Sequence, residues 1–387
     1  MDMDQTVPQS LAYLVHDVDD AAVRRRIDFL VSEGFTVELG GFHRRSPVID
    51  IAGWVRTVDL GRTRDAALGR RILIVLRHLM LPRSIRALCD SASVIVARNL
   101  EMLALAWRVR RPGQRLVYEC LDIHRLMLGG GGKSRLLRWI ERELLKRTDL
   151  VIVSSPAFAR EYFERRQGRP DRVLLIENKV PRVPGRSASG DRILEKKSSG
   201  EYADRPFVIG WFGMLRCRRS LQELLTLADQ LGGRIEIVIA GMPSPAEFPD
   251  FPAVVTGRAN VRYLGAYRPA ELAELYAGVD FVWAIDYFEE GLNSAWLLPN
   301  RLYEGLAHGA IPIALRAVET GRWLDQRQVG LLVDEASKEI PALVETMTHD
   351  QYMMMRVAIA ALPEDALYQT EPECRSIIDA IAGYCHA

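Results

Sequence analysis

The residues from Asn300 to Pro312 carry the clearest chemical signal in the chain. Glu304 lies in a helical pattern that stops at Gly309, and Asn300 and Arg301 begin that pattern. A carboxylate in such a helix can accept hydrogen bonds from two ribose hydroxyls, and the helix dipole favours a diphosphate at the first turn. The segment therefore predicts a clamp for a nucleotide sugar, the alternative being an ordinary turn between a helix and a strand.

Positive charge suited to a diphosphate follows a glycine further upstream. Arg216 and Arg219 come soon after Gly213, where a helical pattern begins. A nucleoside diphosphate that leaves without a divalent metal needs cationic side chains where its charge develops. We expect these arginines to hold the diphosphate; the alternative is a solvated helix start. Gly265 follows a later predicted strand, where its missing side chain would let a ligand approach the backbone closely.

The first half of the chain offers candidate catalytic and acceptor-side residues. Asp122 and His124 follow a predicted strand, at the edge where open α/β sheets bind ligands. Asp122 is a candidate general base, although both residues could equally cap a loop. Asp17 and Asp20 belong to an Asp-x-Asp-Asp run that we interpret as an acceptor-site loop and helix N-cap, with Arg25 adding charge. No metal site is expected there.

These segments resemble family 4 (group 1) glycosyltransferases, in which a helix glutamate closes on the donor ribose. The order of the Gly213 loop, the Gly265 loop and the Glu304 helix matches that family over about 100 residues. The resemblance implies that Glu304 binds ribose and that Arg219 and Arg216 supply the diphosphate cations. It also implies that His124, on the first domain, contacts the donor sugar near the reacting carbon.

Two positions depart from the family pattern. Trp296 stands where the family has a second glutamate, and Met214 stands where it has the loop arginine. Glu290 is the candidate to take over the contacts with the donor sugar, the alternative being an exposed loop carboxylate. The resemblance implies a retaining reaction, and the departures leave an inverting reaction with Asp122 as base open.

The elements that must position these residues alternate between short apolar runs and helical patterns. Alternation of this kind predicts α/β domains with parallel sheets. The family resemblance implies two Rossmann-like domains that face each other across a cleft (the GT-B fold), with a C-terminal helix crossing back to the first domain. We place the domains at residues 1–180 with 366–387 and at 206–365, and the linker at 181–205. Ten runs are predicted as strands: 11–15, 36–39, 93–97, 115–119, 150–154, 207–211, 235–239, 261–264, 280–283 and 311–314.

Composition places the chain among soluble globular proteins, with 48% apolar and 26% charged residues. Five scattered cysteines, an acidic N-terminus and the lack of a long apolar run predict a cytoplasmic protein without a membrane span. Residues 1–170 hold 29 Lys and Arg against 20 Asp and Glu, which favours contact with an anionic surface. The basic helix at 135–147 is either ordinary core or a membrane-surface element.

We therefore predict a glycosyltransferase that needs no cofactor and uses a nucleotide diphosphate sugar, with UDP-sugar favoured. The resemblance to bacterial surface-polysaccharide enzymes implies a polyprenyl-diphosphate-linked saccharide as acceptor and peripheral contact with the inner membrane. Nothing in the sequence suggests a nucleic-acid partner. The alternatives are a nucleotide-sugar 2-epimerase of the same fold and a non-catalytic partner that binds a nucleotide sugar or lipid. A glycine run at 129–132 before Lys133 lacks the spacing of an ATP-binding P-loop.

Overall fold

A computed structural model of the chain describes residues 9–43, 56–63, 68–168, 173–181 and 205–384. The chain divides into two compact units, Met1–Ile176 with Glu371–Ala387 and Glu177–Thr370. These bounds differ by a few residues from the predicted ones because Val180 bridges to Tyr368 and its N–H donates to Leu367 O at 2.8 Å, which ties both segments to the second unit. Residues 182–204 of the predicted linker lie outside the described residues.

The first unit is built on one parallel sheet. Its strand order is β3-β2-β1-β4-β5-β6-β7. The strands are β1 (Ser10–Val15), β2 (Thr36–His43), β3 (Arg56–Arg62), β4 (Val94–Arg98), β5 (Arg115–Cys120), β6 (Leu150–Val153) and β7 (Val173–Leu175). The helices are α1 (Ala21–Ser32), α2 (Leu68–Met80), α3 (Arg83–Cys89), α4 (Leu100–Val109), α5 (Arg125–Leu128) and α6 (Gly132–Leu145), and Phe158–Gln167 winds as a π-helix.

The second unit repeats this design in the Rossmann strand order. Its sheet runs β10-β9-β8-β11-β12-β13, with all described pairs parallel. The strands are β8 (Phe207–Leu215), β9 (Ile235–Pro243), β10 (Val261–Tyr263), β11 (Phe281–Trp283), β12 (Ile311–Leu315) and β13 (Leu331–Val333). The helices are α7 (Arg218–Leu231), α8 (Phe251–Val255), α9 (Leu272–Ala277), α10 (Asn300–Ala307), α11 (Glu319–Gln326), α12 (Ala336–Thr346), α13 (His349–Ala360) and α14 (Glu364–Leu367).

The last helix, α15 (Glu371–Ala382), belongs to the first unit. This agrees with the prediction that a C-terminal helix crosses back to the first domain. Ile377 and Ile381 are buried in the core beneath the first sheet. Arg115, at the start of β5, donates to Ile381 O at 3.0 Å and to Ala380 O at 2.8 Å. These bonds satisfy carbonyls at the helix end that have no partner within the helix, so β5 anchors α15.

All ten predicted strands are present, and the described part of the chain contains three more that sequence patterning missed, β3, β7 and β13. Each of the three lies at an edge of its sheet. An edge strand is only partly covered, so its sequence lacks the continuous apolar run of a central parallel strand such as β1, where Leu11 to Val15 are all buried. The strands that were missed are therefore all edge strands, although the edge strand β10 was predicted.

Candidate functional site

The reversal of strand order marks a binding crevice in each unit. In the second unit the order reverses between β8 and β11, and in the first between β1 and β4. Ligands of open α/β sheets bind beyond the carboxyl ends of the strands at such points. The predicted donor-binding residues follow the carboxyl ends of strands in the second unit, and the predicted catalytic and acceptor-side residues do so in the first.

Three glycines lie side by side at the carboxyl ends of β8, β9 and the segment after β10. Gly213 pairs with Gly241 across the sheet, and Gly241 N donates to Gly265 O at 2.7 Å. All three have positive φ, and a Cβ at Gly241 would lie 1.8 Å from the Gly213 carbonyl oxygen. The predicted Gly213 and Gly265 are thus brought together by Gly241, which the sequence analysis missed. Backbone without side chains lets a flat ligand approach this edge closely.

The predicted diphosphate arginines are held by two consecutive aromatic residues. The guanidinium of Arg219 lies 4.1 Å from the Tyr287 ring centroid, and that of Arg216 lies 4.6 Å from the Phe288 ring centroid. Arg219 also forms an ion pair with the Glu290 carboxylate. The loop after β11 therefore brings together all three residues that were predicted for the diphosphate and the sugar.

The first turn of α7 adds a helix N-terminus to this arginine cluster. The Cys217 Sγ caps the helix by accepting from Ser220 N at 3.3 Å. The Ser220 hydroxyl in turn donates to Ile285 O at 3.4 Å, which fixes the helix start to the end of β11. An anion bound at the start of α7 would therefore interact with the helix dipole as well as with these guanidinium groups.

Glu304 lies on α10 with its side chain partly exposed, and neighbouring side chains hold it in place. The buried Tyr276 donates its hydroxyl to Glu304 Oε2 at 3.2 Å. Burial, followed by the nearby Glu304 charge, raises the pKa of Tyr276 well above its usual value, so the phenol stays a proton donor. The His308 ring stacks on Tyr276 at 5.6 Å, and its Nδ1 lies 2.8 Å from Glu304 O. Tyr276 is a second residue that sequence reasoning missed.

The remaining predicted donor residues begin the same helix. Asn300 is the first residue of α10, and Arg301 follows it, partly exposed. Arg301 and Tyr267 both act electrostatically on Tyr276. The Gly265 loop, which carries Tyr267, therefore lies in the same neighbourhood as Glu304 and Arg301.

In the first unit, Asp122 and His124 flank the buried Ile123 in the segment between β5 and α5. His124 is the N-cap of α5, and its Nδ1 accepts from Leu126 N at 3.3 Å. Burial, followed by the nearby Arg71 and Arg125, lowers the pKa of His124, and Asp122 partly opposes that shift. A neutral ring whose Nδ1 accepts carries its proton on Nε2. His124 is therefore set up to donate a hydrogen bond through Nε2.

The predicted acceptor-side loop is ordered by its own carboxylates. Asp17 is buried and its Oδ1 accepts from Asp19 N at 3.1 Å. Asp20 is the N-cap of α1, where its Oδ1 accepts from Ala22 N at 2.9 Å. Its Oδ2 meets Arg98 Nη2 at 3.2 Å. Arg25 lies on α1, partly exposed. Both oxygens of Asp20 thus have protein partners, and its position holds the loop shape.

A buried polar network behind that loop was not predicted. The fully buried Glu119 accepts from the Tyr13 hydroxyl and from Arg26 Nε, the latter at 2.8 Å. Arg98 lies 3.9 Å from Glu119 and extends the network to Asp20. The signal in the sequence was a charged residue ending an apolar strand, as Arg98 does in β4.

Among the described residues, no group of three or more His, Cys, Asp or Glu side chains is arranged to hold a metal ion. Over the same residues, no helix is both long enough and apolar enough to cross a bilayer.

Known proteins resemble this chain in sequence. Residues 20–179 match the family model described as a glycosyl transferase 4-like domain. The succinoglycan biosynthesis protein ExoL of Rhizobium meliloti (strain 1021) is 45% identical over 338 residues, covering 86% of this chain and 83% of that protein.

Solved structures resemble the whole chain. A sucrose-phosphate synthase from Thermosynechococcus elongatus has a TM-score of 0.68 at 16% identity, covering 95% of this chain and 97% of its own. Anabaena HepE in complex with UDP-glucose has a TM-score of 0.66 at 15% identity, covering 97% and 98%. These structures establish the fold as GT-B, and the predicted family, fold class and enzyme class are confirmed. The chain therefore belongs to the family 4 (group 1) glycosyltransferases of the bacterial polysaccharide-biosynthesis type, and it is a glycosyltransferase.

Proposed function

We propose that this enzyme transfers a sugar from a UDP-sugar to a lipid-linked saccharide during polysaccharide assembly, without a metal or other cofactor and with retention of anomeric configuration. The observation that carries the proposal is the arrangement of the predicted donor residues at the carboxyl ends of strands in the second unit. There Glu304 is ordered by Tyr276, and Arg216 and Arg219 are stacked beside a helix N-terminus. The relatives lend support, since HepE was solved with UDP-glucose and ExoL is a succinoglycan biosynthesis protein.

The donor chemistry follows from the charges on this edge of the sheet. When the bond between sugar and diphosphate breaks, negative charge develops on the leaving diphosphate. Arg216, Arg219 and the N-terminus of α7 stabilise that charge in the way a metal ion does in other transferases. Glu304 holds the ribose hydroxyls and fixes the nucleotide, so that the scissile bond lies at the arginines.

His124 and Asp122 are the candidate residues for the reaction at the donor sugar, His124 for a retaining reaction and Asp122 for an inverting one. A neutral His124 that donates through Nε2 serves a retaining reaction by holding a sugar hydroxyl. In an inverting reaction, Asp122 would instead take the proton of the acceptor hydroxyl. The anomeric configuration of the first-formed product, read by proton NMR from the coupling at the new anomeric centre, separates the two. An α-linked product from an α-linked donor supports retention; a β-linked product supports Asp122 as base.

The donor assignment is tested by thermal unfolding with UDP, GDP, ADP and dTDP sugars in EDTA. We expect the UDP-sugar alone to raise the melting temperature of the native chain. The same ligand should leave the melting temperature of the Glu304→Ala variant unchanged. Glu345→Ala is the matched control, because that exposed carboxylate on α12 pairs with Arg234 at 3.3 Å. A shift that needs added metal would contradict the metal-free site. No shift with any nucleotide would favour the non-catalytic alternative, and free epimer formed without acceptor would favour the epimerase.

The proposed lipid-linked acceptor, and with it a peripheral contact with the membrane, rests on the surface of α2. Its outer face exposes Ile72, Leu73, Leu76 and Met80, which fall within about 100° of the helix circumference at 100° per residue. Met80 is 74% exposed and Leu73 is 68% exposed. A contiguous apolar face of this kind on a soluble domain marks an interaction surface.

Charge around α2 favours an anionic lipid surface as the partner. Arg77, Arg83 and Arg86 are exposed along α2 and α3. An apolar helix face with basic residues beside it binds in the interfacial layer of anionic membranes. Arg71, in the same helix, acts electrostatically on His124. A membrane-bound α2 would therefore hold the candidate catalytic residue beside lipid-linked acceptors on the cytoplasmic face.

Vesicle sedimentation tests this surface. With phosphatidylglycerol vesicles, the double variant Leu73→Ser, Met80→Ser should bind about tenfold more weakly than the native chain, because two large apolar groups no longer leave water. Met354→Ser with Val357→Ser is the matched control, since these residues on α13 are 72% and 51% exposed. Equal binding of both double variants would remove α2 as the contact.

A further inference from the structure

The loop Asp286–Glu290, which follows β11, is built to hold arginines in place. The Asp286 Oδ1 accepts from Phe288 N at 2.8 Å and from the Ser294 hydroxyl at 3.3 Å. The same hydroxyl accepts from Glu289 N at 2.9 Å. These bonds close the loop on itself, so Tyr287 and Phe288 present their rings to the arginines from a fixed backbone.

The same loop also places a negative charge on one of those arginines. Glu290 and Arg219 form an ion pair in which the side chains are 55% and 50% exposed. A second carboxylate, Glu223, lies 3.8 Å from the Arg219 Nε, one turn along α7. Arg216 stacks on Phe288 next to this pair. A diphosphate that binds Arg219 must therefore compete with Glu290 for the same guanidinium.

Competition of this kind acts unequally on the donor and the product. A free nucleoside diphosphate carries more negative charge than a nucleotide sugar, because its terminal phosphate is not esterified. A fixed carboxylate beside the phosphate site repels the more charged ligand more strongly. The sugar of the donor, in addition, brings hydroxyl groups that can donate to a carboxylate.

We propose that Glu290 is a charge selector at the diphosphate site: it competes with phosphate oxygens for Arg219 and so weakens the binding of the free nucleoside diphosphate relative to the nucleotide sugar. The inference rests on the proposed function, since it takes Arg219 as a diphosphate ligand. Its consequence is specificity for the donor over the spent nucleotide, which eases product release.

Isothermal titration with UDP tests the selector without any contribution from sugar contacts. Glu290→Gln should tighten UDP binding by about two- to fivefold, the range expected when an exposed ion pair no longer has to be broken. UDP-glucose should gain less affinity than UDP does. In an Arg219→Ala background, Glu290→Gln should tighten UDP binding less, because the contested guanidinium is absent and only the direct repulsion of the carboxylate is relieved. UDP should correspondingly become a stronger product inhibitor of the Glu290→Gln enzyme.

Glu247→Gln is the matched control, because its partly exposed carboxylate pairs with the neighbouring Arg218 at 3.0 Å. That variant removes the same charge nearby and should keep the native affinity for UDP. The proposal is overturned if Glu290→Gln does not tighten UDP, or if it tightens UDP equally with and without Arg219. Failure of the native chain to bind UDP would instead contradict the proposed donor, and this inference with it.

Discussion

Arg98 is the last residue of β4 in the first unit and Arg219 follows β8 in the second, and both strands border the point of reversed strand order, but the surroundings of the two arginines differ. The Arg98 side chain is 6% exposed and meets Asp20 and Glu119. The Arg219 side chain is 50% exposed and lies on the Tyr287 ring, with Glu290 as its ion-pair partner. The same topology thus holds one arginine sealed by protein partners and another presented to solvent.

The difference shows what the shared topology determines and what it leaves to the side chains. Strand order fixes where a crevice forms, and neighbouring side chains fix whether a cation there is structural or available to a ligand. A buried ion pair is costly to break because a charge is then left in a low-dielectric interior. An exposed pair exchanges partners at little cost. We therefore expect equivalent substitutions to affect folding in the first unit and ligand binding in the second.

The sharpest test of this contrast is Glu119→Gln in the first unit beside Glu290→Gln in the second. Glu119→Gln should lower the free energy of unfolding by about 3 to 5 kcal/mol, because Arg98 and Arg26 lose their buried anion. Glu290→Gln should change it by less than about 1 kcal/mol. Urea denaturation followed by circular dichroism measures both values. Equal losses of stability would show that the two arginines are not held in different ways.

A substitution at Arg219 tests the second unit, where we expect an effect on catalysis and not on stability. Arg219→Ala should lower kcat by about a hundredfold, as expected when one group that stabilises the leaving charge is removed. The melting temperature should stay near the native value because the side chain is half exposed. Arg218→Ala, in the same helix turn, is the control and should retain activity. A large loss of stability in place of the loss of kcat would make Arg219 a structural residue.

Much of this arrangement could be predicted from the sequence, for reasons that differ between the fold and the site. Apolar runs reveal central strands such as β1, because a strand buried on both faces is apolar throughout. Glu304 and Arg219 could be singled out as candidates because each lies in a short segment whose residue order resembles a family motif. Tyr276 was missed because its contact with Glu304 joins residues 28 positions apart, from separate helices. Such contacts depend on packing between elements, which spacing along the chain does not encode.

Tyr276→Phe should produce the smallest effect, on nucleotide selectivity. Loss of the Tyr276 hydroxyl removes one hydrogen bond to Glu304, worth about 1 kcal/mol, so that the carboxylate is no longer held toward the ribose. Titration with UDP and 2′-deoxy-UDP should then show preference for the ribose form reduced about fivefold.

Tyr352→Phe provides the matched control for that measurement, because its hydroxyl donates to another carboxylate of the second unit, Asp280, at 2.8 Å. Both variants lose a buried phenol hydroxyl and some stability, but only Tyr276 lies on the predicted ribose ligand. A loss of ribose preference confined to Tyr276→Phe makes Tyr276 a positioning residue. Equal behaviour of the two variants would mean that Tyr276 only packs the core, and that Glu304 is oriented by its own helix.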